Sequence, residues 1–166
     1  MAKITFKGNP VTTVGELPST GEKAPDFILT RTDLSDLSLK DVAGKTVVMN
    51  IFPSIDTSVC AMSVRKFNAE ISKYGNTVVL CISRDLPFAH ARFCGAEGLN
   101  NVISLSELRN SDFGNRYGVR ISDGPLAGLF ARAIIILDGN GRVIYTQMVP
   151  EIAEEPDYGN AFKTLS

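Results

Sequence analysis

Three cysteines, Cys60, Cys81 and Cys94, are the residues whose chemistry stands out first. A thiolate is the side-chain nucleophile suited to attack sulfur or peroxide, and its reactivity is set by its surroundings. An odd count in a chain of this size is a poor secreted disulfide framework. It points to a reducing compartment, where a cysteine pair is more often catalytic or redox-sensing than structural. The spacing contains no C-x-x-C, which argues against a thioredoxin-type dithiol and a zinc ribbon. His90 and Cys94 stand four apart and can share a helix face. Zinc takes three or four ligands at motif spacing, and no second cluster supports this pair, so neither a metal nor a cofactor is expected.

Cys60 is placed by the elements around it. Thr46-Val47-Val48-Met49-Asn50-Ile51-Phe52 is an apolar, β-branched run typical of a strand buried on both faces, and Pro53 ends its ladder. A helix is predicted from about Ser58 to Tyr74, with the stripe Cys60, Val64, Phe67, Ile71 and Tyr74 inward and Gly75 as its C-cap. Cys60 then falls in the first helical turn, where free N–H groups and the helix dipole favour a thiolate. Strand ends leading into helix N-termini are also where ligands bind in α/β sheets. By position alone, two readings stand together: a nucleophile, or the first residue of an apolar stripe.

The remaining elements follow the same logic. Residues 3–13 form a hairpin, Phe27–Thr30 a short strand, and Ser38–Gly44 one helical turn. Thr77–Ser83 is a second buried strand, which makes Cys81 structural. Asp85 caps a helix over Leu86–Cys94, with Gly95 beyond its end. Val102–Leu105 is a strand and Ser111–Tyr117 a short helix. Arg132–Leu137 and Arg142–Val149 flank Asp138-Gly139-Asn140-Gly141, a strong hairpin signal, and Asp157–Leu165 is a terminal helix. Gly139-x-Gly141 lies in that turn and is no nucleotide loop. Glu151, Glu154, Glu155 and Asp157 read as a solvated acidic face. Parallel βαβ units followed by a hairpin and a helix give an α/β, thioredoxin-like mixed sheet with helices on both faces and an N-terminal β-hairpin.

Composition sets the outer bounds. The 166 residues fit one domain spanning 1–166, long enough to bury roughly 70% of its unfolded surface. Lys+Arg is 17 against 18 for Asp+Glu, so no basic nucleic-acid footprint exists. No apolar run approaches a membrane span, and the N-terminus has no apolar signal core, so a cytoplasmic location is expected.

Pro53-x-x-x-Thr57-x-x-Cys60 resembles the active-site motif of the peroxiredoxins. Three fixed residues arise by chance in roughly 1% of chains this long. Here, however, the motif follows a buried strand and opens a helix, the context that gives it meaning. Ala24-Pro25-Asp26-Phe27 also looks like a family segment, and Arg132 matches the family's distant active-site arginine in order and placement. Ser83-Arg84-Asp85-Leu86-Pro87-Phe88-Ala89, Arg92-Phe93-Cys94-Gly95, Asp123–Gly128 and the N-terminal hairpin resemble one branch, the thiol peroxidase subfamily of atypical two-cysteine peroxiredoxins. The resemblance covers essentially the whole chain.

That resemblance implies a role for each residue. Cys60 is implied as the peroxidatic cysteine, Thr57 as the hydroxyl presented to the peroxide, and Pro53 as a shield against water. Arg132 is implied as donor to sulfur and peroxide, and Cys94 as the resolving cysteine that forms a disulfide with Cys60. The bland alternatives are an N-cap for Thr57 (with Ser58 competing), a solvated strand end for Arg132 and a small buried side chain for Cys94. The resemblance further implies a hydroperoxide substrate, thioredoxin as reductant and a homodimer, with no nucleic-acid or membrane partner. Phe52, Ile55 and the Gly124–Phe130 loop are expected to form an apolar collar. A redox switch that regulates binding without turnover is the competing function.

Overall fold

Side chains alternate along the two central strands and build both faces of the core. Val47, Met49 and Ile51 join Leu80 and Ile82 in one buried cluster, whereas Val48 joins Val79 and Cys81 in another. This two-residue period is what a strand covered on both sides requires.

A computed structural model describes residues 1–110 and 112–165. In chain order the elements are β1 (Lys3–Phe6), β2 (Asn9–Thr12), β3 (Ile28–Arg31), β4 (Asp36–Ser38), β5 (Thr46–Ile51), α1 (Ser58–Glu70), β6 (Thr77–Ser83), α2 (Pro87–Glu97), β7 (Ile103–Ser106), α3 (Asp112–Arg116), β8 (Ala133–Leu137), β9 (Val143–Met148) and α4 (Tyr158–Leu165). The main sheet runs β4-β3-β7-β6-β5-β8-β9, and β1 with β2 forms a separate hairpin. β5, β6 and β7 are mutually parallel through the crossovers α1 and α2, while β8 joins β5 antiparallel. α1, α2 and α4 cover the face holding Cys81, with Phe67, Phe93 and Ala161 inward. α3 covers the opposite face through Phe113, which packs with Phe27, Tyr117 and Phe130. The expected mixed sheet with helices on both faces and an N-terminal hairpin is the architecture found.

Several boundaries differ from expectation. α1 stops at Glu70 and tightens into a 3₁₀ turn over Ile71–Lys73, and the left-handed residue that closes the connection is Asn76 (φ 52°), not Gly75. α2 starts at Pro87, a first-turn position where a missing N–H is harmless. It continues to Glu97, and Gly98 at φ 66° provides the αL cap assigned to Gly95. Cys94 therefore lies inside α2 rather than at its end. Strand β4 was not expected, since Asp36-Leu37-Ser38 offers a single apolar residue. The short helix expected from Ser111 is α3, and Ser111 itself lies outside the described residues.

Candidate active site

The loop between β5 and α1 is built from short local bonds. Pro53 is buried and ends β5. The Thr57 N–H donates to the Ser54 carbonyl at 3.2 Å, closing a turn. Thr57 takes the N-cap position of α1 with extended backbone (φ −100°, ψ 147°), but its side chain caps nothing. Its hydroxyl donates to the Ser54 carbonyl at 3.0 Å instead. With that proton engaged, the Thr57 oxygen faces its surroundings as an acceptor. Ser58, the competing cap, is the first residue of the helix.

Cys60 is the third residue of α1 and is 0% exposed. Its position in the first turn puts it among N–H groups that have no partner within the helix. Its own carbonyl accepts the Ser63 hydroxyl at 2.7 Å, and Ser63 accepts Asn50 Nδ2 of β5 at 3.1 Å. A buried polar peg thus pins the backbone of Cys60 to the central strand.

Arg132 comes to this site through strand register. Ile51 of β5 pairs with Ala133 of β8, so the residue before β8 lands at the carboxyl end of β5. Arg132 is 2% exposed, so the solvated strand end is excluded. Its Nε donates to the Ile152 carbonyl at 2.9 Å, and its Nη1 is buried with no hydrogen-bond partner among the described residues. An unpaired guanidinium nitrogen out of water is costly, and such exceptions mark places where a further group belongs.

Pro53, Thr57 and Arg132 line one cavity of about 320 Å³. Its apolar wall comes from Phe6, Leu126, Leu129 and Ile152. The expected collar is therefore half right. The Gly124–Phe130 loop contributes two leucines, but Phe52 and Ile55 are packed into the core beneath the cavity, 0% and 2% exposed. Phe6 of the β1–β2 hairpin takes their place.

Cys94 is half-buried on α2, with Sγ 3.4 Å from Ser104 Oγ on β7. All three cysteines are unbonded. Cys81 is buried on β6, where burial pushes its thiol up to about 12. It lies within the core cluster, as expected of a structural side chain. His90 is buried, its Nε2 3.0 Å from Ser83 Oγ, and burial holds its ring below the usual histidine range.

Two features escaped sequence reasoning. Asn50 and Ser63 were read only as members of a strand and a helix, although a polar residue inside an apolar strand is itself a signal. Asp85 was assigned as a helix cap. Leu86 holds the N-cap position instead, and the Asp85 carboxylate turns to the β5–α1 loop, accepting Ser54 Oγ at 2.8 Å and the Ile55 N–H at 2.7 Å.

A thioredoxin-like sheet with a cysteine in the first turn after a central strand, and a buried arginine beside that strand's end, defines a redoxin class of protein. The family model named Redoxin matches residues 19–162. The thiol peroxidase of Mycobacterium tuberculosis is 55% identical over 165 residues, covering 99% of each chain. A solved peroxiredoxin-like protein from Aquifex aeolicus superposes with a TM-score of 0.94 at 38% identity, covering 99% of this chain and 96% of the other. The thiol peroxidase from Chromobacterium violaceum superposes at 0.88 with 26% identity, covering 98% and 94%. The chain belongs to the redoxin family, in its thiol peroxidase subfamily.

Proposed function

We propose that this chain is a thiol-dependent peroxidase that reduces hydrogen peroxide and organic hydroperoxides through Cys60 and is recycled by thioredoxin. The observation that carries this reading is the cavity shared by Pro53, Thr57 and Arg132, with an unpaired guanidinium nitrogen at the start of the Cys60 helix. The Cys60 thiolate attacks the terminal oxygen of ROOH and the O–O bond breaks. With one proton taken up, the products are Cys60 sulfenic acid and ROH. Arg132 donates to the sulfur and to the oxygen on which charge builds, a preorganised stabilisation of the transition state. The Thr57 oxygen accepts the peroxide's hydrogen bond, and buried Pro53 excludes water. The Cys94 thiol then condenses with the sulfenic acid, releasing water and forming the Cys60–Cys94 disulfide. Two thiols of thioredoxin return both cysteines to the reduced state and leave thioredoxin oxidised.

Cys60 is fully buried in the first turn of α1, the helix that follows β5, and Cys94 is held over β7, two strands from β5 in the sheet. A disulfide needs Cα atoms within about 7 Å, so the first turn of α1 and the Cys94 segment of α2 unwind locally before they bond. The whole of residues 1–166 acts as one domain, in the cytoplasm and as a homodimer. Among the described residues no helix is long and apolar enough to cross a membrane.

The purified, reduced protein should consume peroxide with thioredoxin, its reductase and NADPH. Cys60→Ser should abolish that turnover, because a hydroxyl supplies no nucleophile at neutral pH. Near-normal NADPH consumption by this variant would remove Cys60 from the reaction.

A further inference from the structure

Asp85 lies outside the cavity, yet its carboxylate bridges the end of β6 to the loop that precedes Cys60. Its Oδ1 accepts the Ser54 hydroxyl at 2.8 Å, and its Oδ2 accepts the Ile55 N–H at 2.7 Å and the Ser83 hydroxyl at 2.5 Å. The chain continues on both sides. Ser54 Oγ accepts the Asp56 N–H at 3.2 Å, and the Ser54 carbonyl accepts both the hydroxyl and the N–H of Thr57. On the other side Ser83 Oγ lies 3.0 Å from His90 Nε2 of α2. Because Ser83 gives its proton to Asp85, His90 must donate from Nε2. The main chain of Asp85 is tied as well: its N–H donates to Ser83 Oγ and its carbonyl accepts the Ser106 hydroxyl.

We infer that Asp85 is a positioning residue for peroxide reduction: it fixes Ser54, whose carbonyl turns the Thr57 hydroxyl so that its oxygen faces the cavity as an acceptor. This rests on the proposed roles of Cys60 and Thr57. All three side-chain partners are donors, so the site calls for a carboxylate with acceptor capacity on both oxygens. An amide replaces one oxygen with a donor: in the place of Oδ2 it opposes the Ile55 N–H, and in the place of Oδ1 it forces the Ser54 hydroxyl to accept and turn its own proton elsewhere. Without Asp85, the Ser54–Thr57 turn is free to rotate, and the Thr57 proton is free to point into the cavity.

Displacing reacting groups by about 1 Å can reduce a rate by roughly 10²-fold. Asp85→Asn and Ser54→Ala are the variants, each compared with wild type in two single-turnover reactions on the reduced protein. One is oxidation of Cys60 by hydrogen peroxide; the other is alkylation of Cys60 by iodoacetamide, read by peptide mass spectrometry. Alkylation needs an accessible thiolate but no oriented hydroxyl. Asp85→Asn should slow peroxide oxidation by roughly 10- to 100-fold while alkylation stays equal or quickens. Ser54→Ala, which leaves the Ile55 and Ser83 bonds in place, should slow oxidation less and in the same direction. Equal oxidation rates in wild type and both variants would overturn the inference alone, as would parallel losses in both reactions, which report general unfolding. Wild type that does not oxidise at Cys60 would overturn the proposed function and this inference with it.

Discussion

At the scale of single residues, the site combines a buried sulfur with a cation that protein groups leave partly unpaired. Arg132 is anchored by one bond from Nε to the Ile152 carbonyl, which frees the rest of its planar fork. A lysine in its place offers a compact ammonium that cannot hold the Ile152 carbonyl and reach two further acceptors in one plane. Arg132→Lys should therefore lower kcat/KM for peroxide by roughly 10²–10³-fold. Steady-state kinetics within a few-fold of wild type would show that the fork plays no part. Pro53, Thr57, Cys60 and Arg132 could be singled out in the sequence because they resemble the peroxiredoxin pattern; position alone left Cys60 open between nucleophile and core residue. The peg from Asn50 through Ser63 to the Cys60 carbonyl was not, since it joins a strand and a helix whose register only the fold reveals.

At the scale of elements, α1 is held by apolar contact and tied to α2 by exposed ion pairs. Phe67 of α1 is fully buried and meets the rings of Tyr158 and Phe162 of α4 edge-on at 5.6 and 5.5 Å. Phe67→Ala should lower unfolding free energy by about 3–5 kcal/mol, measured by denaturant titration, with α4 the first segment to lose amide protection. A loss below about 1 kcal/mol would mean that α4 is not docked through this ring. By contrast, Arg65–Glu97 and Arg92–Asp56 join the two cysteine-bearing segments at the surface, where such pairs contribute about 0–1 kcal/mol. These exposed pairs add little to what the buried contacts of α1 already supply. Strands β5, β6 and β8 were readable as predominantly apolar, β-branched runs. The extent of α2 was not: Gly95 and Gly98 are both plausible stops, and backbone hydrogen bonding decides for Gly98, whose left-handed φ only the structure displays.

At the scale of the whole molecule, the N-terminal hairpin belongs to the site because a carboxylate fastens it there. Glu151 was expected on a solvated acidic face. Its side chain instead accepts the N–H groups of Ala153 and Gly8 and the Thr5 hydroxyl, and these bonds hold its carboxyl down to about 2, against an ordinary 4.5. A depressed carboxylate contributes stability that is complete above its unfolded pKa and disappears as pH falls through the folded one. The stability difference between wild type and Glu151→Gln should thus be constant above about pH 5 and vanish towards pH 2. Subtracting the variant cancels His90, whose burial makes the fold acid-sensitive on its own account. A difference independent of pH would refute the ionic anchor. Glu151 precedes Ile152, whose carbonyl holds Arg132, so this anchor connects the hairpin to the reacting centre. The central claim, that Cys60 takes the peroxide oxygen and gives it up as water on bonding to Cys94, is tested most directly by peptide mass spectrometry after one equivalent of hydrogen peroxide. Wild type should lose two hydrogens and yield a Cys60–Cys94 peptide, while Cys94→Ser should gain one oxygen on Cys60 and stall. A Cys60–Cys81 peptide, or full cycling of Cys94→Ser with thioredoxin alone, would contradict it.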